Sequence, residues 1–126
     1  MKPGSFSLKS RVASFRHAFR GMATLFSTQP NAWLHAAATV AVVSAGILFR
    51  VSTAEWRWLV AAIAAVWVAE AFNTALEFLA DAVSTEHHPL VGKAKDVAAA
   101  AVLLAAVGAA VIGVMVFQPH TWRLFR

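Results

Sequence analysis

Glu70, Asn73, Glu77 and Asp81 recur at helical spacing inside a segment that is otherwise apolar enough to cross a bilayer. At about 100° per residue they fall at roughly 0°, −60°, −20° and +20°, a single stripe about 80° wide on one helix face. A carboxylate carried into hydrocarbon costs about 2.5–3.5 kcal/mol even on lenient insertion scales. A chain that keeps several on one face should have a use for them. Lys95-Asp96 opens the next apolar run, so a hairpin of the two helices sets Glu77 and Asp81 against Lys95 and Asp96. Carboxylates beside a lysine suit a magnesium nucleotide, because magnesium takes one or two carboxylates plus phosphate oxygens and water, and lysine offsets phosphate charge as a point cation. Glu70, a turn or two deeper, is placed to accept a proton from an alcohol held at the membrane boundary. These parts together describe phosphoryl transfer from ATP to a lipid hydroxyl, a reaction governed by positioning and charge neutralisation.

A purely structural role competes with this chemistry. One buried Glu or Asn in a small membrane protein often makes only an interhelical hydrogen bond. That explanation suits any one of the four residues better than all four facing Lys95-Asp96. Lys93 reads as a solvated basic residue. His87 and His88 are adjacent, lack the spacing of a metal pair, and read as polar loop residues or helix caps. His35, two residues after Trp33, stays open between a bond to another helix and a contact with nucleotide. The sequence has neither G-x-x-x-x-G-K-[ST] nor a glycine-rich loop followed by H-R-D, so a phosphotransferase here needs a separate site built in the membrane.

Composition supports that setting. The chain has 126 residues, of which 60% are hydrophobic and 13% charged, with a mean hydropathy of +0.64. A soluble domain of this size needs more polar surface, so a small integral membrane protein is expected. The net charge of +5 is concentrated: five of the eleven Lys and Arg residues (Lys2, Lys9, Arg11, Arg16, Arg20) lie in the first twenty positions. A basic segment beside a span matches anionic lipid headgroups, not nucleic acid. With no cysteine, thiolate catalysis and cysteine metal sites are excluded. No short apolar core with a small-residue cleavage site follows the basic start, so a cleaved signal peptide is not expected.

The elements that must position the stripe follow from periodicity. Residues 6–26 repeat Phe6, Val12, Phe15, Phe19, Met22 and Phe26 among Lys and Arg, predicting a basic amphipathic surface helix. Gln29-Pro30-Asn31 interrupts it. Spans are predicted over residues 33–49, 56–79 and 97–117, joined by a polar hairpin at 50–55 and a loop at 81–93, with Pro119 ending the last helix. Trp33, Trp56, Trp58 and Trp122 sit at span edges, as aromatic belts do. Three spans place seven basic residues (Lys2, Lys9, Arg11, Arg16, Arg20, Lys93, Lys95) on one side and four (Arg50, Arg57, Arg123, Arg126) on the other. The positive-inside bias then puts the N-terminus and the polar end of the second span on the cytoplasmic side, beside cellular ATP. The third span is rich in alanine, with Gly108 and Gly113, which lets helices approach closely in lipid. Three short helices shield four polar groups poorly, so a homo-oligomer is expected. No repeat or domain boundary divides residues 1–126.

The string E-A-F-N-T-A-L-E-F-L-A-D, followed by E-H-H-P-L-V-G-K-A-K-D-V-A-A-A-A-V-L, resembles the signature of the bacterial integral-membrane diacylglycerol and undecaprenol kinases. The likeness runs from about Ser14 to Phe117 and includes size, span count and basic leader. It implies an all-α homotrimer of three-span subunits with a surface helix, and composite sites that take Mg-ATP from the cytoplasm and a lipid alcohol laterally. Position by position, it implies that Glu70 is the general base, Asn73 its amide partner in the pocket, and Glu77 the carboxylate holding Mg²⁺. It further implies that Asp81, Lys95 and Asp96 shape the nucleotide end and that Arg20 lies near the nucleotide. One departure is Gln29, which stands where the better-known diacylglycerol kinases carry a metal-holding glutamate; a nearby arginine is replaced at Trp33. A neutral amide binds magnesium more weakly, leaving the metal to Glu77 alone or to Glu77 with help from Gln29 or elsewhere. The elements N-A-W-L-H, A-E-W and E-H-H-P-L resemble the undecaprenol branch slightly more than the diacylglycerol branch.

Two rivals remain. A non-enzymatic small membrane subunit or pore-forming oligomer would line its pore with the stripe, but residues 58–69 of the second span carry no charge. A lipid phosphatase would want a histidine or cysteine nucleophile, and none is well placed.

Overall fold

The computed structural model describes residues 7–83 and 88–125. Lys2, Phe6, Ser84, His87 and Arg126, used in the sequence reading, lie outside the described residues. The chain forms four helices, α1 (Leu8–Thr28), α2 (Pro30–Leu48), α3 (Thr53–Val83) and α4 (Pro89–Trp122), with no strand among the described residues. The last three are long and apolar enough to cross a membrane. α3 and α4 overhang it: 31 residues in α3 extend about 46 Å at 1.5 Å per residue, against a hydrocarbon core of about 30 Å. The end of α3 that carries Glu77 and Asp81 can therefore stand clear of the hydrocarbon while Glu70 stays within it.

α3 and α4 share the most extensive interface, α2 leans on α3 over a smaller patch, and α1 touches α2. The α2–α3 connection is tight. Arg50 takes a left-handed φ of 50°, and the Val51 N–H returns to the Gly46 carbonyl at 3.1 Å. Gly46 has no room for a side chain, because a Cβ there would meet the Trp56 indole at 2.6 Å. α3 opens on a reciprocal cap: the Ser52 N–H donates to Glu55 and the Glu55 N–H donates to the Ser52 hydroxyl at 3.2 Å. Val51, Leu59 and Val116 form the buried core at this end, with Phe49, Trp56 and Phe117 against it. Most other large apolar side chains, such as Leu103, Leu104 and Val114, face outward. Outward apolar faces are what lipid or a second subunit would cover.

Three element boundaries differ from the sequence expectation. α4 continues through Pro119 to Trp122: the fixed φ of proline is compatible with a helix, and the final turn forms although the ring removes the backbone bond that an N–H at position 119 would give the Met115 carbonyl. The expected loop over 81–93 is shorter: α3 runs to Val83, and α4 restarts at Pro89, with the Leu90 N–H donating to His88 Nδ1 at 3.3 Å as its cap. Pro30 is not itself outside a helix. It begins α2, and the break falls on Gln29, which is extended at φ −114° and ψ 109°.

Candidate active site

The stripe on α3 grades from sealed to open. Glu70 is fully buried, Asn73 and Thr74 are buried, Glu77 is half-buried, and Asp81 is exposed. A bilayer helix rising into water would produce this order, with the most deeply placed carboxylate the most sheltered.

At the middle of the stripe Glu77 is held from two sides. The Gln29 side-chain amide donates to Glu77 Oε2 at 3.1 Å, and the Asn73 amide donates to Oε1 at 3.3 Å. The first contact depends on the break before α2, since the extended backbone at Gln29 turns its side chain onto α3. The second joins residues four apart on one helix face. Toward the open end, Lys95 Nζ of α4 bonds Asp81 Oδ1 at 3.0 Å. That hydrogen bond and its charge raise the Lys95 pKa, with a smaller contribution from Glu77. The ammonium stays charged, paired with Asp81.

Glu70 has a different neighbour. His35 Nε2 of α2 lies 3.4 Å from Glu70 Oε2, with the Glu70 side chain 1% exposed. The pair is within ionic range but not aligned as a hydrogen bond, so both Glu70 oxygens and His35 Nε2 are buried without a hydrogen-bond partner among the described residues. Asn73 Oδ1 and the Thr74 hydroxyl are unpartnered as well. Five unmet polar atoms around one point are costly unless something polar docks there. On the other side of His35, a cavity of about 270 Å³ runs between α2, α3 and α4, lined by apolar groups such as Leu59, Ala62, Val66, Ala106 and Phe117.

Of the residues singled out from sequence, Gln29, Asn73 and Glu77 meet, and Asp81 meets Lys95. The Arg20 and Asp96 side chains are exposed and joined to neither group by a hydrogen bond or ion pair among the described residues. The sequence left His35 open and missed Thr74. The usable signals were a histidine inside an apolar span and a hydroxyl one turn from Glu70.

Among the described residues, no three His, Asp or Glu side chains are gathered as a ready cation site. The donors around Glu77 nevertheless suit magnesium: one carboxylate and two amides whose oxygens can be turned inward.

Across 106 residues the chain is 41% identical to the undecaprenol kinase of Bacillus subtilis (strain 168), covering 84% of this chain and 86% of that one. It is 38% identical to the diacylglycerol kinase of Synechocystis sp. over 109 residues, covering 86% of this chain and 62% of that protein. With the diacylglycerol kinase of Escherichia coli (strain K12), identity is 28% over 124 residues, covering 95% and 89%. Residues 16–117, which hold every residue of the α3 stripe together with Gln29, His35 and Lys95, match the family described as prokaryotic diacylglycerol kinase, and the chain belongs to that family.

Proposed function

We propose that this lipid kinase transfers the γ-phosphoryl group of Mg-ATP to the hydroxyl of a lipid alcohol, undecaprenol or diacylglycerol, at the cytoplasmic face of the bacterial inner membrane. The observation that carries this is the depth order on α3. A sheltered carboxylate with both oxygens unmet lies about two turns below a carboxylate held by amides, and three turns below an Asp–Lys pair at the open end.

Glu70 acts as general base, taking the hydroxyl proton as the lipid oxygen forms its bond to Pγ and the bond from Pγ to the bridging oxygen of ADP breaks. Asn73 borders both Glu70 and Glu77 and orients the acceptor side. Glu77, with Gln29 and Asn73 beside it, would hold magnesium, which supplies charge neutralisation on the phosphates. Lys95 contacts phosphate and is kept in place by Asp81; Asp96 and Arg20 complete the nucleotide end. The apolar cavity beside His35 favours a hydrocarbon-tailed acceptor over a soluble alcohol. The 41% identity to an undecaprenol kinase favours undecaprenol of the two lipids.

α1 lies at the interface as a basic amphipathic helix, the N-terminus faces the cytoplasm, and residues 1–126 act as one membrane-embedded domain. A homotrimer covers the outward apolar faces and completes a composite site. A pore is disfavoured because the unmet polar atoms gather at one end of α3, while Leu59, Ala62 and Val66 bury an apolar half.

The test is purified protein with Mg-ATP and, in separate reactions, undecaprenol and diacylglycerol in mixed micelles. A phosphorylated lipid from either is expected. A folded preparation that phosphorylates neither would overturn the assignment.

A further inference from the structure

We infer that His35 is the positioning residue for Glu70, and that its Nε2–H secures one carboxylate oxygen so that the other is left for the acceptor hydroxyl. This inference rests on the kinase reading above.

Glu70 cannot orient itself. Its side chain is sealed from solvent, and neither oxygen has a hydrogen-bond partner among the described residues. A carboxylate in that state is free to rotate about its last torsion, and it gains most from a donor on a second helix. His35 Nε2 is such a donor, 3.4 Å away and itself buried without a partner. Catalytic hydrogen bonds are often long before substrate is bound and tighten in the complex. A small rotation of the imidazole or the carboxylate toward alignment would complete this one.

The imidazole is better anchored than the carboxylate. The Thr39 hydroxyl donates to the His35 carbonyl at 2.7 Å, and Trp67 Nε1 donates to the same hydroxyl at 3.0 Å. The Trp67 ring meets the His35 ring edge-on with centroids 6.1 Å apart, and Phe26 of α1 tilts against Trp67 at 5.5 Å. Three helices thus fix where the imidazole stands, and the imidazole in turn faces Oε2. With Oε2 held by His35, Oε1 is the atom left to take a proton.

The experiment compares His35→Phe, which keeps a ring against Trp67 but removes the N–H, with His35→Gln, whose amide N–H reaches a similar point. Both are assayed as intact oligomers in the same micelles. His35→Phe should lose kcat by about 10- to 100-fold, the scale of a misplaced reacting group, with the ATP KM unchanged. His35→Gln should recover most of the loss. Wild-type kcat in His35→Phe, equal losses in both variants, or a loss confined to the ATP KM would overturn the inference. A second readout needs no turnover: in ¹⁵N-histidine-labelled protein, the His35 Nε2 resonance should move on Glu70→Gln, and an unmoved resonance sinks the contact. If wild type phosphorylates neither lipid, the kinase assignment fails, whereas the resonance still decides whether His35 holds Glu70.

Discussion

Gln29 and Glu77, 48 positions apart, meet through an amide–carboxylate hydrogen bond of 3.1 Å across the α1–α2 break and α3. Asn73 donates to the other Glu77 oxygen. A single carboxylate between two amides is poised between two uses. Without cation the amide N–H groups neutralise it; with cation the amides can turn and offer oxygen instead.

Gln29→Glu should therefore change the metal requirement more than the chemistry. A second carboxylate facing Glu77 adds charge to the cation site, and the magnesium concentration for half-maximal activity should fall by about tenfold, the scale commonly seen for direct neighbours of a metal ligand. Without magnesium the two carboxylates repel, and the variant should melt below wild type. A magnesium titration of activity with melting curves checks both; an unchanged magnesium requirement removes Gln29 from the site.

Glu70→Gln should separate stability from activity. The native carboxylate is buried with both oxygens unmet, a cost that a neutral amide of the same shape reduces. Melting temperature should stay level or rise, while kcat falls by about 100- to 10,000-fold, the usual contribution of a general base. Nucleotide binding, followed with a fluorescent ATP analogue, should persist. Full activity in this variant would exclude Glu70 as the base.

Gly46→Ala tests the tight end of the α2–α3 pair. The added methyl would meet the Trp56 ring at 2.6 Å, so the helices must separate or the indole must turn. Overpacking of this kind costs about 1–3 kcal/mol. Combining Gly46→Ala with Trp56→Leu should recover part of the loss. Denaturation in detergent measures both, and additive losses would contradict the close approach.

The helices and the stripe were legible because each is a local pattern. The 3.6-residue period puts Glu70, Asn73, Glu77 and Asp81 on one face whatever surrounds them, and two helices joined by a short loop bring Lys95 to Asp81. What could not be read was which face of α2 turns toward α3. That depends on the angle at which the helices cross, so His35 could not be assigned to Glu70, nor Gln29 to Glu77 as a donor. Pro119 is a related case: proline disfavours a helix beyond its first turn without forbidding it, and tertiary contacts such as the one between His120 and Glu55 decide whether the helix runs on. The pairing of Glu55 with His120, 65 positions apart, carried no sequence signal.

That last pair makes the far end of the molecule sensitive to acid. Glu55 precedes the apolar run that begins at Trp56, accepts from the Ser52 N–H and lies 2.9 Å from His120 Nε2 at the end of α4. The backbone N–H of Ser52, then His120, then the Ser52 hydroxyl lower its pKa from 4.5 to about 2. A carboxyl whose folded pKa is depressed stabilises the fold above its unfolded pKa, and that stabilisation is lost as pH falls through the folded value. Wild type should thus melt above Glu55→Gln at pH 6, and the gap should narrow as pH falls from about 4.5 toward 2. Lipid phosphorylation at neutral pH should change little, because the cap lies at the opposite end of α3 from Glu70 and Glu77. Melting curves across that range decide it: a gap that is constant with pH would mean that Glu55 holds the α3 start by packing and not by charge.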